Sequence, residues 1–257
     1  MIPLFVPADR PERFGKAAAS GADAIILDLE DAVAPQSKAR ARGNLRADFT
    51  TLPVLVRINA VGTPFHDDDL LAATHAGAAA IVVPKAEDNE GFGAIARNTS
   101  LPVLALVETA AGVAGSRTIA SLPFVGRLVF GSIDFCADLG CAHTREALLA
   151  ARSELVFASR LARLTAPIDG VTARIDDPAA SEDDARYASD LGFGGKLCIH
   201  PRQIEGIRRG FQPTGQEISW ARGVLASGDG AAAVDGILVD APVRARAEAV
   251  LKRAKLT

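Results

Sequence analysis

Polar residues that could do chemistry recur in this chain at one kind of place, the end of a short apolar run. The runs at Ala24–Leu27, Val54–Val56, Ala80–Val83, Val103–Val107, Leu128–Phe130 and Lys196–Ile199 pass into Asp28-Leu29-Glu30-Asp31, Arg57-Ile58-Asn59, Pro84-Lys85, Glu108-Thr109, Gly131-Ser132-Ile133-Asp134 and His200-Pro201. If consecutive runs are neighbouring parallel strands, ~4.8 Å apart, Glu108 and Asp134 converge at one end of the sheet. Two carboxylates ~4 Å apart repel by about 4 kcal/mol at an effective dielectric of 20. A shared proton or a divalent cation has to neutralise them. Carboxylate oxygens with no histidine close in sequence favour a hard ion, Mg2+ first and Mn2+ second, over zinc. Two protein ligands also leave coordination positions open for water and substrate. Arg57 adds an always-charged fork suited to a carboxylate or an enolate oxygen, although a plain salt bridge to Glu30 or Asp31 would use it equally well. Each acidic residue taken singly also fits a helix cap or a solvated loop.

The elements that carry these residues follow from the runs. With Leu4-Phe5-Val6 and Ile168 to Val171 there are eight. Their hydrophobicity is continuous rather than alternating, as strands buried on both faces of a helix-covered parallel sheet require. Eight βα units followed by a tail match a (β/α)8 TIM barrel of ~250 residues better than a doubly wound sheet. No GxGxxG follows the first run, which removes the main support for a dinucleotide fold. Helices are expected over Arg10 to Ser20, with Pro11 at the start and Gly21 as the stop, and over Glu146 to Leu164.

The rhythm changes past Gly210, which divides the chain into a barrel over 1–210 and an extension over 211–257. In the extension, Pro213-Thr214-Gly215 opens a helix to about Ala226, Gly228-Asp229-Gly230 leads to a short strand at Gly236–Val239, and Pro242 starts a last helix. Its apolar residues, among them Trp220, Val224, Leu225, Ile237, Leu238, Val250 and Leu251, are too few for a core of their own. The extension is therefore expected to pack on the barrel or on a neighbouring subunit.

Composition removes other classes. The 28 Lys and Arg nearly balance the 31 Asp and Glu, for a net charge of -3, which argues against a nucleic-acid or membrane binder working by bulk charge. No apolar run approaches the ~18 residues needed to span a bilayer, and no basic leader precedes the first strand. Cys136, Cys141 and Cys198 are an odd count without a CxxC pair, which fits a reducing cytoplasm. Cys136, Cys141 and His143 lack a fourth ligand at zinc-site spacing and read as core or loop residues.

Taken in order, the segments Leu4 to Phe14, Asp28 to Val33, Val56-Arg57-Ile58-Asn59, Val107 to Val113, Gly131 to Phe135, Gly195 to Gln203 and Gly236 to Pro242 resemble the citrate lyase β-subunit-like family of acyl-CoA lyases. That family includes malyl-CoA and citramalyl-CoA lyases. The resemblance implies a Mg2+-dependent carbon–carbon lyase on a (β/α)8 barrel that assembles as a homotrimer or a multiple of trimers. Its substrate would be a 3-hydroxyacyl-CoA thioester, cleaved to an acyl-CoA enolate and a keto acid. It makes Glu108 and Asp134 the metal ligands and Arg57 the partner of the thioester or enolate oxygen. Phe5, Arg10, Lys16, Ile199 and His200 fall where coenzyme A is bound, and Glu30 and Asp31 face the waters of the metal. Asp240 matches an acid or base contributed by a neighbouring subunit, although Pro242 just after it also suits a helix cap. Two other readings stay open. One is a pyruvate-type class II aldolase acting on free acids, against which Glu30-Asp31 stands where such enzymes carry an acidic-His pair. The other is a non-catalytic acyl-CoA-binding subunit.

Overall fold

The apolar runs pair in parallel, in sequence order. The computed structural model describes residues 1–228, 232–234 and 237–255. In its first half β1 (Pro3–Pro7), α1 (Phe14–Ala18), β2 (Ala24–Asp28), α2 (Lys38–Gly43), β3 (Val54–Arg57), α3 (His66–His75), β4 (Ala80–Val83) and α4 (Glu90–Asn98) alternate. Next come β5 (Val103–Val107), α5 (Ala110–Ala114), α6 (Ser116–Ser121), β6 (Val125–Phe130), α7 (Ser132–Leu139) and α8 (Arg145–Leu161). The barrel ends with β7 (Ile168–Asp169), α9 (Pro178–Leu191), β8 (Gly195–Lys196) and α10 (Ile204–Phe211).

Strands β1 to β8 form one eight-stranded sheet in chain order. The segment after β8 closes it onto β1: Leu4 bridges Cys198 in parallel, Phe5 N donates to Cys198 O at 2.9 Å, and Lys196 N donates to Met1 O at 3.1 Å. The expected (β/α)8 barrel is therefore what the chain builds. Along each strand the side chains alternate between two cores. Ile26, Leu55, Val82, Leu104, Val129 and Leu197 fill the barrel interior, whereas Ile25, Leu27, Val56 and Ile81 face the helices. Each such fully buried side chain contributes roughly 1.5–3 kcal/mol.

Some boundaries differ from the sequence expectation. The segment after Arg10 is a 3₁₀ turn at Pro11–Arg13 followed by the short α1, with Gly21 at φ +87° ending it. The long helix expected to reach Leu164 stops at Leu161, and Thr144 Oγ1 caps its start. Strand β7 ends before Gly170, where a Cβ would run into Ser132 Oγ.

Behind β7 and β8 sits a buried charge cluster. Asp169 accepts from Arg152 Nε at 2.8 Å and from Lys196 Nζ at 3.0 Å, and Lys196 Nζ also donates to Gly170 O at 2.8 Å. Burial alone would raise the Asp169 pKa, but Lys196 and Arg152 outweigh it and hold the carboxyl below its ordinary value.

After the barrel come α11 (Gly215–Ala226), β9 (Ala232–Val234), β10 (Ile237–Val239) and α12 (Ala241–Lys255). The expected Asp229-Gly230 turn and Gly236 lie outside the described residues. The extension corrects one expectation: Ala221, Val224, Val239, Ala247 and Val250 bury one another in a separate cluster, edged by Trp220, Leu225, Val243 and Leu251. Small alanines let the two helices approach closely enough for this. Polar contacts join the extension to the barrel, with Arg253 Nη1 donating to Ser189 Oγ at 3.1 Å and Arg186 paired with Glu217 at 3.7 Å.

Candidate active site

The C-terminal ends of β2, β3, β5 and β6 bring the acidic residues and Arg57 to one mouth of the barrel. In the β2–β3 register Asp28 is the direct partner of Arg57. The guanidinium grips it with two prongs, Nε to Oδ1 at 2.7 Å and Nη2 to Oδ2 at 2.6 Å. Its third nitrogen, Nη1, lies 2.9 Å from Glu30 Oε2 and 3.3 Å from Asp31 Oδ2. The Phe5 ring lies 4.8 Å from the guanidinium carbon. Burial works against the charge of Arg57, but Asp28, Glu30 and Asp31 outweigh it and raise its pKa. It stays a cation at every working pH. A guanidinium carries five N–H donors, and these contacts engage at most four of them. One remains for a substrate oxygen.

Glu108, at the end of β5, is 2 % exposed and accepts a hydrogen bond from Lys85 N at 2.9 Å. Lys85 holds that N–H in place with a left-handed backbone, φ 49°, a costly conformation for a residue with a Cβ. Gly131 leaves the space that the Glu108 side chain occupies, since a Cβ there would collide with Glu108 Oε2 and Cβ. Burial, reinforced by Glu30 and Asp134, pushes the Glu108 carboxyl up to about 8. Burial likewise pushes Glu30 up to about 7 against the pull of Arg57. Glu30 Oε2 faces Arg57 without hydrogen-bond alignment and has no donor. Asp134 sits in the first turn of α7. A buried carboxyl raised by two acidic neighbours, one of which has an orphaned buried oxygen, belongs to a donor set for a hard divalent cation. Among the described residues no three His, Cys, Asp or Glu side chains form a ready-made metal cage. An ion here would complete its shell with water and substrate.

Of these residues Phe5, Asp28, Asp31, Arg57, Glu108 and Asp134 line a cleft of about 400 Å³. Phe5, Pro7 and Ile199 form a threshold shared with a second hollow of about 720 Å³, whose wall carries Arg13, Lys16, His200 and Arg202. A buried acidic mouth thus opens into a groove edged with cations, which suits a small reacting group attached to a polyanionic carrier. Residues 1–201, the span holding every group of the acidic cleft, match the HpcH/HpaI aldolase/citrate lyase family.

The chain belongs to the HpcH/HpaI aldolase/citrate lyase family.

Among family members it is 42 % identical over 265 residues to a citrate lyase subunit beta-like protein of Mycobacterium tuberculosis, covering 98 % of this chain and 94 % of that one. It is 34 % identical over 254 residues to a (3S)-malyl-CoA thioesterase of Cereibacter sphaeroides, covering 92 % and 88 % of the two chains. The structure of CitE from M. tuberculosis in complex with magnesium, acetoacetate and coenzyme A superposes with a TM-score of 0.90 at 38 % identity, over 99 % of this chain and 97 % of that one.

Among the residues expected from sequence, Arg57, Glu108, Asp134, Asp31 and Phe5 line the cleft, Glu30 lies against Arg57, and Lys16, Ile199 and His200 line the adjoining hollow. Arg10 lines neither and lies 3.9 Å from Asp9. His200 Nδ1 caps the turn after it, accepting from Arg202 N at 3.2 Å. Asp240 is exposed and caps α12 through Val243 N at 3.2 Å; it is not among the residues lining the cleft of its own chain. Sequence reading did not assign Asp28, Arg13 or Arg202. The β2–β3 alignment carries the signal for Asp28. His143 contacts Ser132 Oγ at 3.0 Å.

Proposed function

We propose that the chain is a Mg2+-dependent carbon–carbon lyase that cleaves, or in reverse forms, a 3-hydroxyacyl-CoA thioester, giving an acyl-CoA enolate and a keto acid. The observation that carries this reading is the pair of raised carboxyls, Glu30 and Glu108, gathered with Asp134 beside a fixed guanidinium. Glu108 and Asp134 would hold the ion, and Glu30 and Asp31 would accept from its waters. The ion would supply Lewis-acid polarisation of the substrate hydroxyl and carboxylate, worth several kcal/mol.

Arg57 directs its spare N–H to the thioester oxygen, where negative charge grows as the carbon–carbon bond breaks. Asp28 fixes the plane of that fork, so no reorganisation is needed in the transition state. In cleavage a base removes the β-hydroxyl proton, the bond between the α-carbon and the carbinol carbon breaks, and the electron pair passes to the thioester enolate. The enolate carbon then takes up a proton. We assign Asp240 of a neighbouring subunit in a homotrimer as that acid or base, an arrangement that requires the extension to reach an adjacent barrel. Lys16, Ile199 and His200 border the coenzyme A path with Phe5, and Arg13 and Arg202 join them there. Arg10 belongs to its outer edge.

The cationic hollow beside the cleft favours a thioester over the free acids of a class II aldolase. The CitE complex with magnesium, acetoacetate and coenzyme A supports the same ligands for this chain. With all three thiols free, we read it as a cytoplasmic enzyme. Turnover of a panel of 3-hydroxyacyl-CoA thioesters, with and without Mg2+, tests the proposal. Release of free coenzyme A without carbon–carbon cleavage, or no dependence on Mg2+, overturns it.

A further inference from the structure

We propose that a hollow between α8 and α9, behind the wall of the cleft, is a second binding site that takes a small oxyanion, a phosphate or a carboxylate. The site does not depend on the lyase reading. It holds about 320 Å³, and its wall carries Arg145, Arg152, Arg174 and His143 against a single acid, Asp184. It shares no lining residue with the acidic cleft or with the cationic hollow at Lys16.

The first support is a buried charge left without a counterion. Asp169 brings one negative charge to both Arg152 and Lys196, and all three are at most 5 % exposed. One positive charge of the triad therefore stays uncompensated, and burying a charge is costly unless it is paired. Arg152 is also incompletely bonded. Its Nε and Nη2 donate to Asp169 at 2.8 and 3.5 Å, which leaves Nη1 without an acceptor among the described residues. The Phe130 and Tyr187 rings, each 5.6 Å from its guanidinium carbon, hold the group in place but offer no oxygen. An oxyanion in the hollow that Arg152 lines supplies both the missing acceptor and the missing charge.

The second support is that other donors converge on the same space. Arg145 spends only Nη2 on acids, meeting Asp183 at 2.5 Å and Asp184 at 3.3 Å, and its guanidinium is set by the Tyr187 ring at 4.6 Å. Asp183 is 72 % exposed, so solvent screens its charge. Asp184 is taken a second time by Thr172 Oγ1 at 2.8 Å. Arg174 holds Asp177 only at 3.5 Å. Guanidinium forks of this kind match the paired oxygens of phosphates and carboxylates. His143 uses Nε2 on Ser132 Oγ, which leaves Nδ1 for an occupant. The backbone of the wall is fixed in advance, because Gln203 Nε2 donates to Thr172 O at 2.7 Å and to Arg174 O at 3.1 Å. Ser132 and Phe130, which line the cleft, are the residues that His143 and Arg152 touch from behind. An anion here thus lies one side chain away from the carboxylate mouth.

The probes are inorganic phosphate and malonate, titrated calorimetrically into the metal-free full chain at an ionic strength held constant with sodium chloride. The proposal expects saturable binding of one anion per chain at millimolar or lower concentration, with a matching rise in Tm. The tighter of the two probes assigns the occupant to phosphates or to carboxylates. Arg145→Gln and Arg174→Gln, both at partly exposed positions, should each weaken binding several-fold and together tenfold or more, with circular dichroism unchanged. No saturable binding of either probe overturns the proposal. So does an affinity that survives the double substitution, because the anion then sits elsewhere.

Discussion

Arg57 and Asp28 face each other across β2 and β3 as register partners, joined by two parallel hydrogen bonds of 2.7 and 2.6 Å. The pair orients the guanidinium that the proposed chemistry relies on, and Asp28 is 1 % exposed. Asp28→Asn keeps the shape but removes the charge that holds the fork in plane. It should lower kcat by about tenfold or more with a smaller change in KM, because the interaction it supports strengthens in the transition state. Arg57→Lys should cost about 100-fold or more in kcat, since an ammonium cannot span Asp28 and still donate to the substrate. Steady-state kinetics on both variants check this, and near-normal turnover in Arg57→Lys would reduce Arg57 to a structural ion-pair partner.

Glu108→Gln removes one negative charge and preserves volume, so Mg2+ affinity should fall at least tenfold while the fold persists. Titration calorimetry with Mg2+, alongside circular dichroism, reads the two effects separately. Unchanged affinity would sink the assignment of Glu108 as a ligand.

The pH dependence has a defined sign. Glu108 and Glu30 are raised from 4.5 to about 8 and about 7, so the folded metal-free protein keeps protons that the unfolded chain has released. Their contribution to stability is full below pH 4.5 and is lost as the pH rises through about 8. The Tm of the metal-free protein should therefore decline across that window, and saturating Mg2+ should remove most of the decline by replacing the protons. Thermal melts at several pH values with and without Mg2+ measure it, and Mg2+ affinity should rise over the same range.

Behind the site, Asp169 neutralises two buried cations at 2.8 and 3.0 Å. Asp169→Ala leaves Arg152 and Lys196 uncompensated and should destabilise the barrel by about 3–5 kcal/mol. Denaturant unfolding gives the number. A loss under 1 kcal/mol would mean that water reaches the pair.

Mixing Arg57→Ala chains with Asp240→Ala chains under subunit exchange tests the proposed contribution of Asp240 to a neighbouring site. Recovered activity is the expected result, because some mixed sites regain both residues. No recovery would leave Asp240 as the α12 cap that it forms within one chain.

The sequence made the strand ends legible because a parallel barrel exposes them at one face, so the polar residue after each apolar run reports its own position. Glu108, Asp134 and Arg57 were readable in that way. Asp28 was not, because it ends its strand together with Glu30 and Asp31, and only the alignment of β2 against β3 determines which acid meets Arg57. Arg13 and Arg202 share a wall only because the segment after β8 returns to β1, a contact between the two ends of the barrel with no local signature. The core of the extension was underestimated for a related reason. Counting apolar side chains does not reveal that Ala221 and Ala247 let two helices close on Val224 and Val250.

Gly131 gives the site an unusual fragility. The space that Glu108 occupies is defined by the missing methyl of a residue on the neighbouring strand end, so an alanine there would evict the proposed ligand while the barrel core stayed intact. Drift at that one codon would leave a folded protein without the proposed ion site, which makes residue 131 the first place to look when sorting members of such a family that keep the site from those that have lost it.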